Sequence, residues 1–115
     1  MRALPRVKPA IRRGDVWWIN LDPTRGSEIK KTRPCLVVSP DEMNTHIATV
    51  IVAPMTTQGK AYPTRVPCAF HSKAGSVVLD QLRTVDKVWL VKRLGRLNAT
   101  EQMAVLQSLA EMFAP

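Results

Sequence analysis

The chain has 115 residues, 45% of them hydrophobic, which is enough for one domain with its own core and no stapling. No apolar run approaches the length of a membrane span and no segment resembles a signal peptide, so a cytoplasmic protein without membrane association is expected. Seventeen Lys and Arg against nine Asp and Glu leave a formal charge of +8, which favours a polyanionic partner, most often nucleic acid.

Residues 1–12 carry Arg2, Arg6, Lys8 and Arg12 with no acid and two prolines, and are expected to form a basic arm. A single domain over residues 13–115 is expected to follow. The apolar run Val16-Trp17-Trp18-Ile19 reads as a strand that stops at Asp22-Pro23, and Cys35-Leu36-Val37-Val38 reads as a second strand after Arg33-Pro34. The polar loop between them is longer than strand pairing requires, which points to function. Ser39 and Pro40 have the spacing of an N-cap and first helical position for a short turn through Asn44.

Ile47–Pro54 is β-branched and almost uniformly apolar, as in a central strand buried on both faces. A second polar loop, Met55–Pro63, leads to Arg65–Phe70, a strand that Pro67 confines to an edge. Ser76–Leu79 is another short strand, and residues 80–97 are expected to hold a helical turn and a final strand. Asn98 and Glu101 have capping-box spacing ahead of a helix whose apolar stripe is read as Met103, Leu106, Ala110 and Phe113, widened by Leu109 and Met112. Five or six strands closed by one helix make a mostly β fold, a small, strongly curved antiparallel sheet or barrel. Cys35 and Cys68 lie in apolar runs outside any CxxC or Cys/His cluster, so free buried thiols are expected.

The sequence has no Gly-rich phosphate loop and no HExxH or other clustered metal motif, so neither cofactor nor metal is expected. His46 and His71 fall in separate regions and read as ordinary surface residues. The remaining set suits phosphodiester cleavage through the RNA's own 2′-hydroxyl. That reaction needs a proton acceptor, a proton donor and groups that stabilise charge on the non-bridging oxygens. Arg33, fixed beside Pro34, offers a bidentate fork to phosphate. Glu28 is the loop's carboxylate, Thr56 and Thr57 follow the central strand with hydroxyl donors, and Lys60 adds charge. Trp17 and Trp18 point to opposite faces of one strand, so at most one meets RNA, and core or dimer-interface roles are expected. Tyr62 is the better stacking candidate.

The segments GDVWWINLDPTRGSEIKKTRPCLVVSP, VIVAPMTTQGKAYP and LDQLRTVD, in that order, resemble the MazF/PemK (Kid-like) toxins of bacterial toxin–antitoxin systems. The resemblance implies an SH3-like barrel and a homodimer. It also implies metal-independent, sequence-specific cleavage of single-stranded RNA to 2′,3′-cyclic phosphate and 5′-hydroxyl ends, and inhibition by a cognate antitoxin with an acidic C-terminal tail. By position it assigns catalysis to Arg33, Thr56 and Glu28, and RNA contacts to Ser27, Thr57, Gln58, Lys60, Tyr62, Asp80 and Gln81. Kid-like members carry a histidine in the first loop and an arginine two residues before the later acid. Here those positions are Ser27 and Val78, so the MazF-type arginine–threonine pattern applies. The alternatives are a CcdB-like gyrase poison on the same barrel and a non-catalytic SH3-like nucleic-acid module.

Overall fold

The computed structural model describes residues 9–21, 31–59 and 61–115. Strand β1 (Asp15–Asn20) turns Trp17 and Ile19 to one face of the sheet and Val16 and Trp18 to the other. It pairs antiparallel with β2 (Thr32–Val37), where Val16 faces Leu36 and Ile19 faces Arg33. A short helix α1 (Asp41–His46) leads into β3 (Thr49–Thr56), the most connected strand. The N-cap of α1 is Pro40, without a side-chain cap. Ser39 does not cap it: its buried hydroxyl donates to Asn44 Oδ1 (2.5 Å) and accepts the Ile51 N–H (3.0 Å), tying α1 to β3 instead.

Strands β4 (Arg65–Phe70) and β5 (Lys73–Val78) form a hairpin whose two turn residues, His71 and Ser72, both have positive φ (49° and 65°). Two left-handed residues in succession make the primed turn that matches strand twist, in a position that more often takes Asn-Gly. The edge reading of Pro67 holds: the sheet runs β4-β5-β3-β2-β1-β7, with β4 outermost. Strands β6 (Arg83–Asp86) and β7 (Leu90–Arg96) are separated by a 3₁₀ turn at Lys87–Trp89, and a second such turn spans Leu79–Gln81. The described residues therefore form seven strands rather than five or six. In β6 only Val85 is buried, so this four-residue strand leaves too little apolar period to be read from sequence.

The curl of the sheet is set along β3. Val77 of β5 sits opposite Met55, and Arg83 of β6 sits opposite Val52. Three steps of β3 are thus matched by six of its neighbour, with the 3₁₀ turn at Leu79–Gln81 taking up the excess. That corner folds the sheet into a half-barrel and separates two apolar clusters. One gathers Val16, Leu36, Ala53, Met55, Val77 and Leu79 beneath the last helix, and the other gathers Trp17, Ile19, Val37, Val50, Val52 and Leu90.

Asn98 caps that helix, α2 (Ala99–Met112), by accepting the Glu101 N–H at 2.8 Å. The Glu101 carboxylate does not close the box on Asn98. It accepts the Ala69 N–H at 2.8 Å and pins the helix to β4. The buried face of α2 also differs from the expected stripe. Val105 is buried and Leu109 and Met112 pack beside it, whereas Met103 and Phe113 are 65% and 73% exposed. Ile11 packs on the second cluster and the Arg12 N–H reaches Asp15 Oδ2, so the chain is already docked within the segment expected as an arm.

Candidate active site

Where the half-barrel opens, the ends of β2, β3, β4 and β5 enclose a cavity of about 510 Å³. Arg33 and Pro34 line it from β2, Thr56 and Thr57 from the end of β3, and Trp18 and Leu94 from β1 and β7. Strand pairing sets Trp18 beside Pro34, its partner across the β1–β2 ladder. Of the two adjacent tryptophans, Trp17 is core, whereas Trp18 is 37% exposed and forms part of the wall.

Arg33 lies inside β2 rather than in the loop before it, and its Nε is buried without a hydrogen-bond partner among the described residues. A buried, unpaired guanidinium nitrogen is an unmet donor, and an anion would satisfy it. Thr56 ends β3, and its hydroxyl oxygen accepts the Gln58 N–H at 3.1 Å. That bond uses a lone pair and leaves the hydroxyl proton free to donate. The backbone around Thr56 is crowded by β5: a Cβ added at Gly75 would lie 2.4 Å from the Thr56 carbonyl oxygen. Only glycine permits this approach, a requirement that sequence reading passed over because Gly75 looks like an ordinary turn residue.

The described cavity wall contains Arg33 and Lys73 and no carboxylate. Cys68 also lines it, free of disulfide, and burial pushes its thiol up to about 11. Cys35, the other free cysteine, is pushed up to about 12 by burial, against the opposing charges of Arg83 and Arg33. Neither thiol supplies a thiolate nucleophile at neutral pH. His71 belongs to the wall as well, stacked on Phe70 with ring centroids 4.1 Å apart. It is exposed, in the turn between β4 and β5, so it remains the surface residue expected while bordering the cleft. His46 lies at the end of α1, its Nδ1 2.9 Å from the Glu42 carbonyl oxygen, and is not part of that wall.

A second cavity of about 300 Å³ adjoins the first through Thr56, Thr57, Gly75 and Ser76, and adds Gln58 and Arg65. Arg65 links the remaining predicted residues. Its guanidinium lies 5.1 Å from the centroid of the Tyr62 ring and bonds Asp80 at 3.3 and 3.4 Å. Burial would raise the Asp80 carboxyl, but hydrogen bonds from Arg65 and Thr64 outweigh it and hold the group below its ordinary value. Tyr62 is 52% exposed and keeps an open ring face beside this network. Gln81 lies in the 3₁₀ turn next to Asp80, away from both cavities. Ser27, Glu28 and Lys60 lie outside the described residues. Among the described residues no group of three or more His, Cys, Asp or Glu side chains converges as a metal ligand set.

The described residues thus form a curled β half-barrel with an arginine and a threonine at one open cleft. The model of the PemK-like, MazF-like toxins of type II toxin–antitoxin systems matches residues 12–113, and the chain belongs to that family. The endoribonuclease toxin MazF of Escherichia coli strain K12 is 36% identical over 72 residues, covering 63% of this chain and 65% of that protein, a little under two thirds of its length. The endoribonuclease PemK of Escherichia coli is 35% identical and covers 95% of this chain and 86% of its own. Among solved structures, MazF from Deinococcus radiodurans superposes with a TM-score of 0.80 at 27% identity, over 91% of this chain and 97% of that one. A mycobacterial endoribonuclease in complex with its cognate antitoxin gives a TM-score of 0.78 at 27% identity, over 92% and 98%.

Proposed function

We propose that this protein is a cytoplasmic endoribonuclease toxin that cuts single-stranded RNA at short sequences without a metal ion. The observation that supports it is the presence of Arg33 and Thr56, from different strands, in the wall of one cationic cavity. The RNA's 2′-hydroxyl attacks the adjacent phosphorus, the P–O5′ bond breaks, and 2′,3′-cyclic phosphate and 5′-hydroxyl ends result. Arg33 neutralises the charge that builds on the phosphorane, and its unpartnered Nε is the donor that a phosphate oxygen satisfies. Thr56 donates its free hydroxyl proton to the same group. The contiguous second cavity, with Thr57, Gln58 and Arg65, takes a neighbouring nucleotide, and Tyr62 offers a stacking face at its rim.

The protein acts as a homodimer and is held inactive by an antitoxin whose acidic tail occupies the cationic cleft, as the antitoxin complex of the mycobacterial relative suggests. Residues 1–8 add basic contacts to the RNA path. A gyrase-poison or purely binding role would leave the pairing of Arg33 with Thr56 at one cleft without a purpose.

The test uses purified protein, a long RNA, and the same RNA with 2′-deoxy substitution at the mapped cut site. Cutting that persists in EDTA, leaves cyclic-phosphate ends and fails on the deoxy substrate is expected. Cutting that stops in EDTA, or proceeds equally on the deoxy substrate, contradicts the mechanism.

A further inference from the structure

The smaller cavity beside the Arg33–Thr56 cleft holds a guanidinium that is fixed in place. Strand alternation turns Arg65 and Pro67 of β4 to the same side, and both line that cavity. The Nε and Nη2 atoms of Arg65 donate to the two Asp80 carboxylate oxygens at 3.3 and 3.4 Å, and the Tyr62 ring centroid lies 5.1 Å from the guanidinium carbon. Asp80 is itself held, since its Oδ1 accepts the Thr64 hydroxyl at 3.0 Å. Nη1 has no hydrogen-bond partner among the described residues. It lies beside Gly59, another wall residue, where an added Cβ would stand only 2.7 Å from it. Gly59 has φ 108°, so glycine suits the backbone there and also leaves Nη1 its room.

A guanidinium bound side-on through Nε and Nη2 keeps its outer edge, one N–H of Nη1 and one of Nη2, as a second planar fork. We propose that Arg65 is a specificity-determining residue that reads a guanine in the nucleotide next to the cut, with Asp80 as its positioning residue. The inference deepens the endoribonuclease reading and rests on it.

Guanine presents two adjacent acceptors, O6 and N7, to such a fork. On the same edge adenine and cytosine carry an amino donor, and uracil has a single acceptor. Asp80 offsets the charge of Arg65, which weakens its pull on a phosphate while leaving the donor geometry intact. The described wall of the first cavity, by contrast, has cations and no carboxylate, as a phosphate site requires. At about 300 Å³ the second cavity is at the small end of ligand sites, with room for one base rather than a longer stretch. It shares Thr56, Thr57, Gly75 and Ser76 with the first cavity. The base it takes therefore belongs to a nucleotide adjoining the phosphate held by Arg33 and Thr56.

The test maps the wild-type cut sites on an RNA of mixed sequence. It then measures single-turnover cutting of a short RNA carrying each of the four bases at each position flanking the cut. The expected result is a preference for guanine at one flanking position, by roughly five- to a hundred-fold over the other bases. 7-Deazaguanine, which lacks the N7 acceptor, should forfeit much of that preference, whereas inosine, which keeps O6 and N7, should retain it. Arg65→Lys keeps the charge but not the fork, and Asp80→Asn keeps the size but loosens the grip on the guanidinium. Both should bring the ratio of guanine to the other bases close to one, and 7-deazaguanine should cost Arg65→Lys nothing further. A wild-type protein that cuts no RNA fails the endoribonuclease reading itself, and this proposal with it. If the wild type cuts, the proposal alone is overturned by the absence of a guanine preference at either flanking position. It is also overturned by an Arg65→Lys protein that keeps the preference, whether at full rate or slowed equally on all four bases as for a phosphate contact. An Asp80→Asn protein slowed equally on all four bases overturns the positioning role of Asp80.

Discussion

Gly75→Ala is the sharpest perturbation of the site that removes none of its polar side chains. The added Cβ would lie 2.4 Å from the Thr56 carbonyl oxygen, whereas ordinary contact begins near 3.4 Å. The two strands must therefore separate by about 1 Å, and the obstacle is backbone, which cannot swing aside as a side-chain end does. Because Thr56 and Thr57 are the residues displaced, the separation moves the Thr56 hydroxyl proposed to meet the phosphate. A misplacement of that size typically costs about a hundred-fold in rate. Overpacking of a well-filled strand contact costs about 1–3 kcal/mol of stability. The assay pairs single-turnover RNA cutting with denaturant unfolding, and Thr84→Ala, an exposed change on β6, serves as the control. A folded Gly75→Ala protein that cuts at the wild-type rate would refute the argument that β5 fixes Thr56, whatever its stability.

Thr56→Val, which keeps the shape but removes the hydroxyl, should slow cutting about a hundred-fold with little change in RNA binding, measured in the same single-turnover assay. Asp80→Asn should lower thermal stability at neutral pH. The folded-state carboxyl titrates below its ordinary 3.8, so its contribution is present above that value and disappears as pH falls through the lowered one. The difference between wild type and Asp80→Asn melting temperatures should shrink accordingly towards pH 2, and added salt should reduce it because the pair with Arg65 is partly exposed. Removing residues 1–8 deletes Arg2, Arg6 and Lys8 but leaves Ile11 packed. Binding to single-stranded RNA should then lose roughly 0.7 units of salt slope for each phosphate contact removed, while the saturated rate stays constant.

Much of the framework was legible because it is written in local patterns. The apolar runs of β1, β2 and β3, the edge position forced by Pro67 and the Asn98 cap all depend on neighbours in sequence, and each is where the spacing indicates. The stripe of α2 was misread because Met103 and Phe113 fit helical spacing as well as Val105 does. Only the packing of the helix against β4 decides which face is inward. Ser39 and Pro40 looked like a capping pair, yet the hydroxyl is drawn to the Ile51 N–H, a partner twelve residues away.

At the site, Arg33 and Thr56 were readable as residues suited to phosphate, and the curl of β3 brings their strands to one cleft. Gly75 was not readable, since its role comes from the close approach of β5 to the Thr56 backbone, a contact between strands with no local signature. The exposure of Trp18 follows from strand alternation, but which of the two adjacent tryptophans faces the cleft depends on the side to which the sheet curls.

The central claim is that Arg33 stabilises a phosphorane formed by attack of the RNA's own 2′-hydroxyl. The most direct measurement is the single-turnover cutting rate of Arg33→Ala on an RNA whose cut site has been mapped, with folding and dimerisation verified on the same sample. The account predicts a loss of at least a hundred- to a thousand-fold, with poor recovery in Arg33→Lys because a point charge does not reproduce the planar fork. A folded Arg33→Ala protein that cuts the same bond at a near-normal rate would contradict it.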